Sequence, residues 1–126
     1  MGIIMKEVEI AGDKGRKIVM SLFDSGASCS VIRKDVAEEV STILKIPTPF
    51  EFILGDGETT LRADYVTFVE FTLKGYRYPP QRVIVVDKLE EELIFGVDTL
   101  QMWKIKLDLV NEDVVIDKSV LRLRLV

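Results

Sequence analysis

Short runs of apolar residues recur along most of the chain, and they restrict its possible folds more than any other feature. Residues 16–23 carry apolar side chains on both faces of a predicted strand, which is typical of a central position in a sheet. Residues 69–73 alternate apolar and polar side chains, which predicts a half-exposed strand. Further strands are predicted over residues 3–10, 50–54, 58–62, 83–86, 93–95, 106–110, 113–117 and 120–126. The sequence therefore predicts a mostly β protein.

Only two stretches have helical character. Residues 34–44 place apolar side chains on one helical stripe and charged ones opposite it, and the prolines that follow are expected to end this helix. A short second helix is predicted after Gly96, with Asp98 or Thr99 as its N-cap. Turns are predicted at residues 11–15, 55–57, 75–80 and 111–112. These elements describe a single domain over residues 1–126, with one or two short helices.

Composition excludes several classes of partner. The 126 residues carry a formal net charge of −4, so bulk electrostatics do not attract the chain to nucleic acid or to an anionic membrane. The apolar runs are strand-sized, far shorter than the roughly 20 residues that a membrane span requires. No secretion signal is recognisable at the start of the sequence. We therefore expect a cytoplasmic protein without nucleic-acid or membrane partners.

The residue types that are missing narrow the chemistry further. The sequence contains no histidine, which removes the usual Ser-His-Asp and Cys-His arrangements and all histidine-based metal sites. The single cysteine, Cys29, can form neither an internal disulfide nor a thiolate metal cage. No phosphate-binding glycine loop is present. We expect no metal and no cofactor, and carboxylates are the most informative catalytic candidates.

One carboxylate stands in an unusual place. Asp24 follows directly on the predicted central strand and precedes Ser25 and Gly26. Gly26 permits a tight turn, and Ser25 offers a hydroxyl that could brace a neighbouring carboxylate. The same three residues are also common in an ordinary strand-to-turn motif. The triplet alone leaves both interpretations open.

The chain resembles retropepsin-like aspartic peptidases at three landmarks. The first is Leu22-Phe23-Asp24-Ser25-Gly26-Ala27-Ser28 followed by Val31-Ile32, which matches that family's active-site pattern of two apolar residues, Asp, Thr or Ser, Gly, Ala, and Ser or Thr. The second is Leu93-Ile94-Phe95-Gly96, apolar residues that run into a glycine before a helix. The third is residues 53–58, where the family carries its flap. The landmarks occur in the family's order and spacing between Lys17 and Asp117. The chain is more similar to cellular and prokaryotic members of the family than to viral ones, which usually have an arginine after the glycine that corresponds to Gly96.

The resemblance implies a closed acid-protease barrel and an aspartic endopeptidase that acts as a homodimer. Asp24 would be the catalytic residue of each subunit, and Ser25 and Gly26 would support it. The flap tip would be Gly55, Asp56 and Gly57, and the remaining cleft residues would be Ala27, Phe95 and Gly96. Two identical carboxylates that share one proton supply both an acid and a base, and one short chain contains only one such motif. The implied partners are a second copy and a peptide or unfolded protein substrate.

Several residues have simpler interpretations. Asp56 is expected to be a hairpin-turn residue rather than a second catalytic acid, and Cys29 a small buried side chain rather than a redox switch. The aromatic side chains of Trp103, Phe68 and Phe71 are predicted to lie in the core. For the whole protein, the alternative to a peptidase is a catalytically inactive dimerisation or peptide-binding module with the same fold.

Overall fold

The computed structural model describes residues 2–53 and 55–125. The strands predicted to end at residues 54 and 126 therefore have their last residue outside the described part. Two helices are present, α1 Lys34–Val40 and α2 Val97–Met102, and a 3₁₀ turn covers Lys118–Leu121. The strands are β1 Ile3–Ala11, β2 Arg16–Asp24, β3 Val31–Arg33, β4 Leu44–Ile53, β5 Thr60–Leu73, β6 Tyr76–Val86, β7 Leu93–Phe95, β8 Lys106–Asp108 and β9 Asp113–Val115.

Six of the strands close into a barrel. They pair in the order β1-β2-β7-β3-β6-β5, and the end of β5 returns to β1 through the pairs Glu9–Thr72 and Ala11–Glu70. Closure leaves no continuous open sheet edge around the barrel. Strand β4 continues the sheet beyond β5 as a long hairpin, and β8 and β9 form a separate two-stranded sheet. The predicted closed, mostly β barrel with two short helices is confirmed.

The hydrophobic core is divided into two clusters. The larger one fills the barrel, where the rings of Phe71 and Tyr78 stack with centroids 4.5 Å apart and Trp103 meets Tyr78 edge-on at 5.8 Å. The smaller one lies below the β4–β5 hairpin and is centred on Ala63, Val66, Ile84 and Val86. Burial of these apolar surfaces is the main favourable contribution to folding, and the smaller cluster forms one wall of the cleft described below.

Helix α1 ends at Val40, four residues before the predicted end at residue 44. The next residues bond to β5 instead of continuing the helix: the Ser41 hydroxyl donates to the Phe68 carbonyl at 3.1 Å, and the Thr67 hydroxyl donates to the Thr42 carbonyl at 2.7 Å. Leu44 then begins β4. The expectation that the prolines end the helix was wrong. Pro47 and Pro49 lie inside β4, an edge strand, where a missing N–H is tolerated.

Two further predictions of local structure were wrong. Residues 75–80 were expected to form a turn, but only Lys74 and Gly75 form it, with positive φ angles of 51° and 81°, and β6 begins at Tyr76. Residues 120–126 were expected to form a strand, but the 3₁₀ turn occupies Lys118–Leu121. Asp117 stabilises that turn, because its carboxylate accepts hydrogen bonds from both the amide and the hydroxyl of Ser119.

The core prediction holds for two of the three aromatic residues. Phe71 and Trp103 are buried, whereas Phe68 is 47% exposed on the outside of β5. Phe68 shares the outward face of β5 with Glu70 and Thr72, so the alternation predicted for residues 69–73 places it outside the core when it is extended by one residue. Neither helix in the described residues combines the length and apolarity needed to cross a bilayer.

Candidate active site

Asp24 is the last residue of β2, at one end of the barrel. Strand β2 runs parallel to β7, with Phe23 opposite Phe95, so Asp24 and Gly96 leave the sheet side by side. The Asp24 carboxylate is half-buried and its Oδ1 atom accepts a hydrogen bond from the Gly26 amide at 2.8 Å. The Ala27 amide donates to the Asp24 carbonyl at 3.2 Å. Asp24 is thus both a residue of an ordinary turn and the predicted catalytic residue, and the turn fixes the direction of its carboxylate.

Ser25 binds the start of the chain. Its hydroxyl oxygen accepts a hydrogen bond from the Gly2 amide at 2.8 Å, and its own amide donates to the Gly2 carbonyl at 3.1 Å. The Ser25 hydroxyl is predicted to brace a neighbouring carboxylate. In the structure of the single chain this hydroxyl holds the beginning of β1 against the Asp24 loop.

Gly96 allows helix α2 to approach that loop closely. A Cβ atom at this position would lie 2.7 Å from the carbonyl oxygens of both Ala27 and Cys29, which is closer than atoms can approach without a backbone shift. The Val97 amide, next along the chain, donates to the Ala27 carbonyl at 2.8 Å. Position 96 therefore requires a glycine, because its backbone contacts the loop. Ala27, and not Gly96, is among the residues that line the cleft.

A buried network around Asp98 ties the other end of the loop to α2. The Ser30 hydroxyl donates to Asp98 Oδ1 at 2.8 Å, and the Ser30 amide donates to Oδ2 at 3.2 Å. A hydroxyl has one proton, so Ser30 Oγ accepts from the Gly96 amide at 3.0 Å and from the Thr99 hydroxyl at 2.7 Å. The prediction that Asp98 or Thr99 is the N-cap was wrong, because the N-cap is Gly96. Asp98 joins two segments of the site instead.

A cleft of about 770 Å³ lies over Asp24. Its floor contains Asp24, Gly26 and Ala27, and Gly55 belongs to the hairpin on its opposite side. The walls are mostly apolar and are contributed by Val31, Phe50, Phe52, Ile53, Leu61, Val86, Leu89 and Ile94. A carboxylate at the base of an apolar cleft is a suitable position for a group that acts on a bound chain rather than on bulk solvent.

The β4–β5 hairpin ends in the predicted flap tip. Gly55, Asp56 and Gly57 are exposed there, and Gly57 has a positive φ of 76°. The Asp56 carboxylate accepts hydrogen bonds from the hydroxyl and amide of Thr59 and from the Glu58 amide. These bonds, with the Thr59 hydroxyl first, lower the pKa of Asp56. Asp56 is a hairpin-turn residue, as predicted, and Gly55 is the tip residue that reaches the cleft.

Cys29 lines the cleft between the loop and the smaller core cluster. Burial raises the pKa of its thiol, and the negative charge of Asp98 adds to that rise, whereas the positive charge of Arg82 opposes it. A thiol with a raised pKa is a poor nucleophile near neutral pH. The expectation that Cys29 is a small packing residue fits this position.

The Asp24 loop lies within a region that matches a known protein family. A model of the aspartyl protease family matches residues 7–99, well over half of the sequence. The chain belongs to the aspartyl protease family. The matched region includes β2, the Asp24 loop, the flap hairpin and the beginning of α2. No curated protein sequence matches this chain significantly.

Solved structures with the retropepsin-like fold are similar to this chain. The retroviral protease-like domain of Ddi1 from Leishmania major aligns with a TM-score of 0.58 and 23% identity, covering 90% of this chain and 89% of that one. The EIAV protease, in complex with an inhibitor, aligns with a TM-score of 0.57 and 23% identity, covering 83% of this chain and 91% of that one. At this identity the similarity establishes the fold.

One predicted cleft residue lies elsewhere. Phe95 is fully buried in the barrel core, where its ring packs 4.9 Å from that of Phe23 and 4.7 Å from that of Phe71. Successive side chains of a strand point to opposite faces, and its neighbour Ile94 is the one that lines the cleft. The assignment of Phe95 to the substrate cleft is therefore corrected to Ile94.

Sequence reasoning missed Ser30, Thr99 and the role of Asp98. Ser30 and Thr99 are buried polar residues, and they lie 69 residues apart in the sequence. Their individual positions carry no recognisable local signal, because a hydroxyl beside an apolar run is also common at strand ends. Among residues 2–53 and 55–125, no three potential His, Cys, Asp or Glu ligands cluster in a way that could hold a metal ion.

Proposed function

We propose that this protein is an aspartic endopeptidase that acts as a homodimer, with Asp24 as the catalytic carboxylate of each subunit. The observation that carries the proposal is the position of Asp24 at the floor of the cleft, oriented by the Gly26 amide in a chain of the aspartyl protease family. Ser25 and Gly26 are positioning residues in this proposal. The flap tip at Gly55, Asp56 and Gly57 would close over the substrate.

The reaction requires two carboxylates that share one proton. Two such groups about 3 Å apart cannot both ionise, so one Asp24 is a base and its counterpart an acid. The ionised carboxylate takes a proton from water as the water oxygen attacks the scissile carbonyl carbon. The protonated carboxylate donates its proton to the carbonyl oxygen. As the tetrahedral diol collapses, one of its hydroxyls returns a proton to the ionised carboxylate and the C–N bond breaks. The leaving nitrogen takes the proton of the other carboxylate, so the dyad again holds one proton.

The second carboxylate would come from a second copy of the chain. A groove of about 850 Å³ lies next to Ser25 and includes Val97, Leu109 and Val115. Leu109 is 55% exposed and Val115 52% exposed, so the surface beside the Asp24 loop presents apolar area that an isologous contact could bury. Association through this side would bring the two loops towards a common twofold axis.

The proposed substrate is an extended peptide or an unfolded segment of a protein. The walls of the cleft are apolar, and the flap hairpin lies along one side of it, so a chain bound between them would lose contact with water. Extended backbone groups can bond to such a hairpin while side chains enter the apolar pockets. A cytoplasmic location remains a prediction of the sequence.

The test is cleavage of a library of unfolded peptides between acidic and neutral pH by the wild type and by Asp24→Asn. Replacement of the carboxylate by an amide should reduce cleavage by about a thousandfold or more while folding and dimer mass stay unchanged. Asp87→Asn, an exposed acidic residue outside the cleft, is the matched control and should cleave normally. Cleavage that persists in Asp24→Asn would assign the activity to other residues. A protein that cleaves nothing would be an inactive binding module.

A further inference from the structure

Arg82 lies over an aromatic wall of the cleft. Its guanidinium carbon lies 5.4 Å from the centre of the Phe50 ring, which is within the range of a cation–π contact. Phe50 lines the cleft from the flap strand β4. A cation–π contact leaves the guanidinium N–H groups available for hydrogen bonds to an acceptor.

Arg82, like Arg77, Arg122 and Arg124, has no carboxylate partner among the described residues, and of these four it is the one that lies over an aromatic ring. Arg16, Arg33 and Arg62 each contact a carboxylate, at 3.2, 2.7 and 3.1 Å respectively. Within residues 2–53 and 55–125, no carboxylate lies within 4.0 Å of the Arg82 side-chain nitrogens. An exposed guanidinium that is held by a ring rather than by an acid is preorganised for an external anion, because carboxylates match its paired N–H groups.

Arg82 lies just outside the residues that line the cleft, next to Phe50. In the sheet, Arg82 pairs with Phe68, two residues beyond the pair formed by Val66 and Ile84. Ile84 in turn pairs with Val31, a cleft residue. The charge of Arg82 also acts on Cys29, which lies on the wall between the loop and β3. A peptide that leaves the apolar part of the cleft on this side would pass Arg82.

We propose that Arg82 is a specificity-determining residue that binds an acidic side chain of the peptide substrate, several residues away from the scissile bond. The inference rests on the proposed peptidase function. Residues near the scissile bond would be apolar, to match the walls, and an Asp or Glu farther along would pair with the guanidinium edge. In the homodimer the two copies of Arg82 would lie at opposite ends of one continuous cleft, so the acidic residue could be recognised on either side.

The first test is cleavage-site profiling with peptides that are acetylated and amidated, so that side chains carry the only carboxylates. We expect the wild type to select Asp or Glu at a position three or more residues from the cleaved bond. Arg82→Gln should lose that selection, and Arg82→Glu should select Lys or Arg there instead. Arg77→Gln, an exposed arginine on the same strand, is the matched control and should keep the acidic preference. An acidic preference that persists in Arg82→Gln would overturn the proposal.

A second test does not depend on catalysis. It measures the binding of two capped peptides to Asp24→Asn and to Asp24→Asn/Arg82→Gln. The peptides differ only by Glu or Gln at the position selected in the cleavage profile. If no cleavage occurs, Glu and Gln are compared at each position of an apolar peptide in turn. The Glu peptide should bind Asp24→Asn about fivefold more tightly, with a difference that shrinks at high salt and disappears in the double variant. This result without wild-type cleavage would reject only the peptidase. Equal binding of both peptides by Asp24→Asn, or no binding of either, would reject the role of Arg82.

Discussion

The floor and the roof of the cleft are built in opposite ways. The floor loop is tied to α2 by hydrogen bonds between residues 66 to 69 positions apart, as in Gly96 to Ser30 and Ser30 to Thr99. The described bonds at the flap tip join near neighbours, from Asp56 to Glu58 and Thr59. An added Cβ atom at Gly55 would meet nothing within 4 Å, whereas at Gly96 it would meet backbone. The Asp24 carboxylate is therefore held on a fixed loop beneath a hairpin tip with few tertiary contacts.

The largest difference in stability is expected between the variants Gly96→Ala and Gly55→Ala. Gly96→Ala places a methyl group against the carbonyl oxygens of Ala27 and Cys29, so the loop and α2 must separate. We expect a loss of about 3 kcal/mol in the free energy of unfolding, measured by urea denaturation, together with loss of peptide cleavage. Gly55→Ala is the matched control and should unfold like the wild type. Equal stability of the two variants would show that the floor is not tightly packed.

A smaller effect is expected at Asp98. Asp98→Ala leaves the Ser30 and Thr99 amides and the Ser30 hydroxyl without their acceptor. Buried donors that lose their partner cost about 2 kcal/mol in the free energy of unfolding, and displacement of the Asp24 loop should reduce kcat about tenfold or more with a smaller change in KM. Asp98→Asn keeps one acceptor oxygen and should recover part of both quantities. If the variant bound peptide more weakly but kept its kcat, Asp98 would not be a residue that positions Asp24.

The smallest effect concerns the pH response of the flap tip. Hydrogen bonds from Thr59 and Glu58 lower the pKa of Asp56 below its usual range. The turn is therefore stabilised above the ordinary carboxyl pKa of about 4, and this contribution is lost as the pH falls through the lower folded value. In NMR spectra the Thr59 and Glu58 amide signals should titrate below about pH 4 and remain constant in Asp56→Asn. The Gly96 amide signal should not follow this titration.

Local pattern predicted the barrel well and the site only in part. Alternation over residues 16–23 and 69–73 located the strands, because one or both faces of each strand are buried. The family resemblance misassigned Phe95 to the cleft, and a shift of one residue along the strand exchanges the core face for the cleft face. Helix α1 ends early because side chains after Val40 bond to β5, and Asp98 binds a residue 68 positions away. Interactions between residues so far apart in the sequence cannot be predicted from a short local segment.

The two prolines of β4 have a consequence for behaviour at high concentration. Strand β4 forms the outer edge of the β4–β5 hairpin, and an uncovered strand is a template on which other molecules can polymerise. Pro47 and Pro49 remove two N–H donors from that edge, and the pairing with β5 is irregular between Lys45 and Phe50. A strand of another molecule could therefore not form a continuous row of hydrogen bonds with β4. For this reason the exposed hairpin is protected against aggregation.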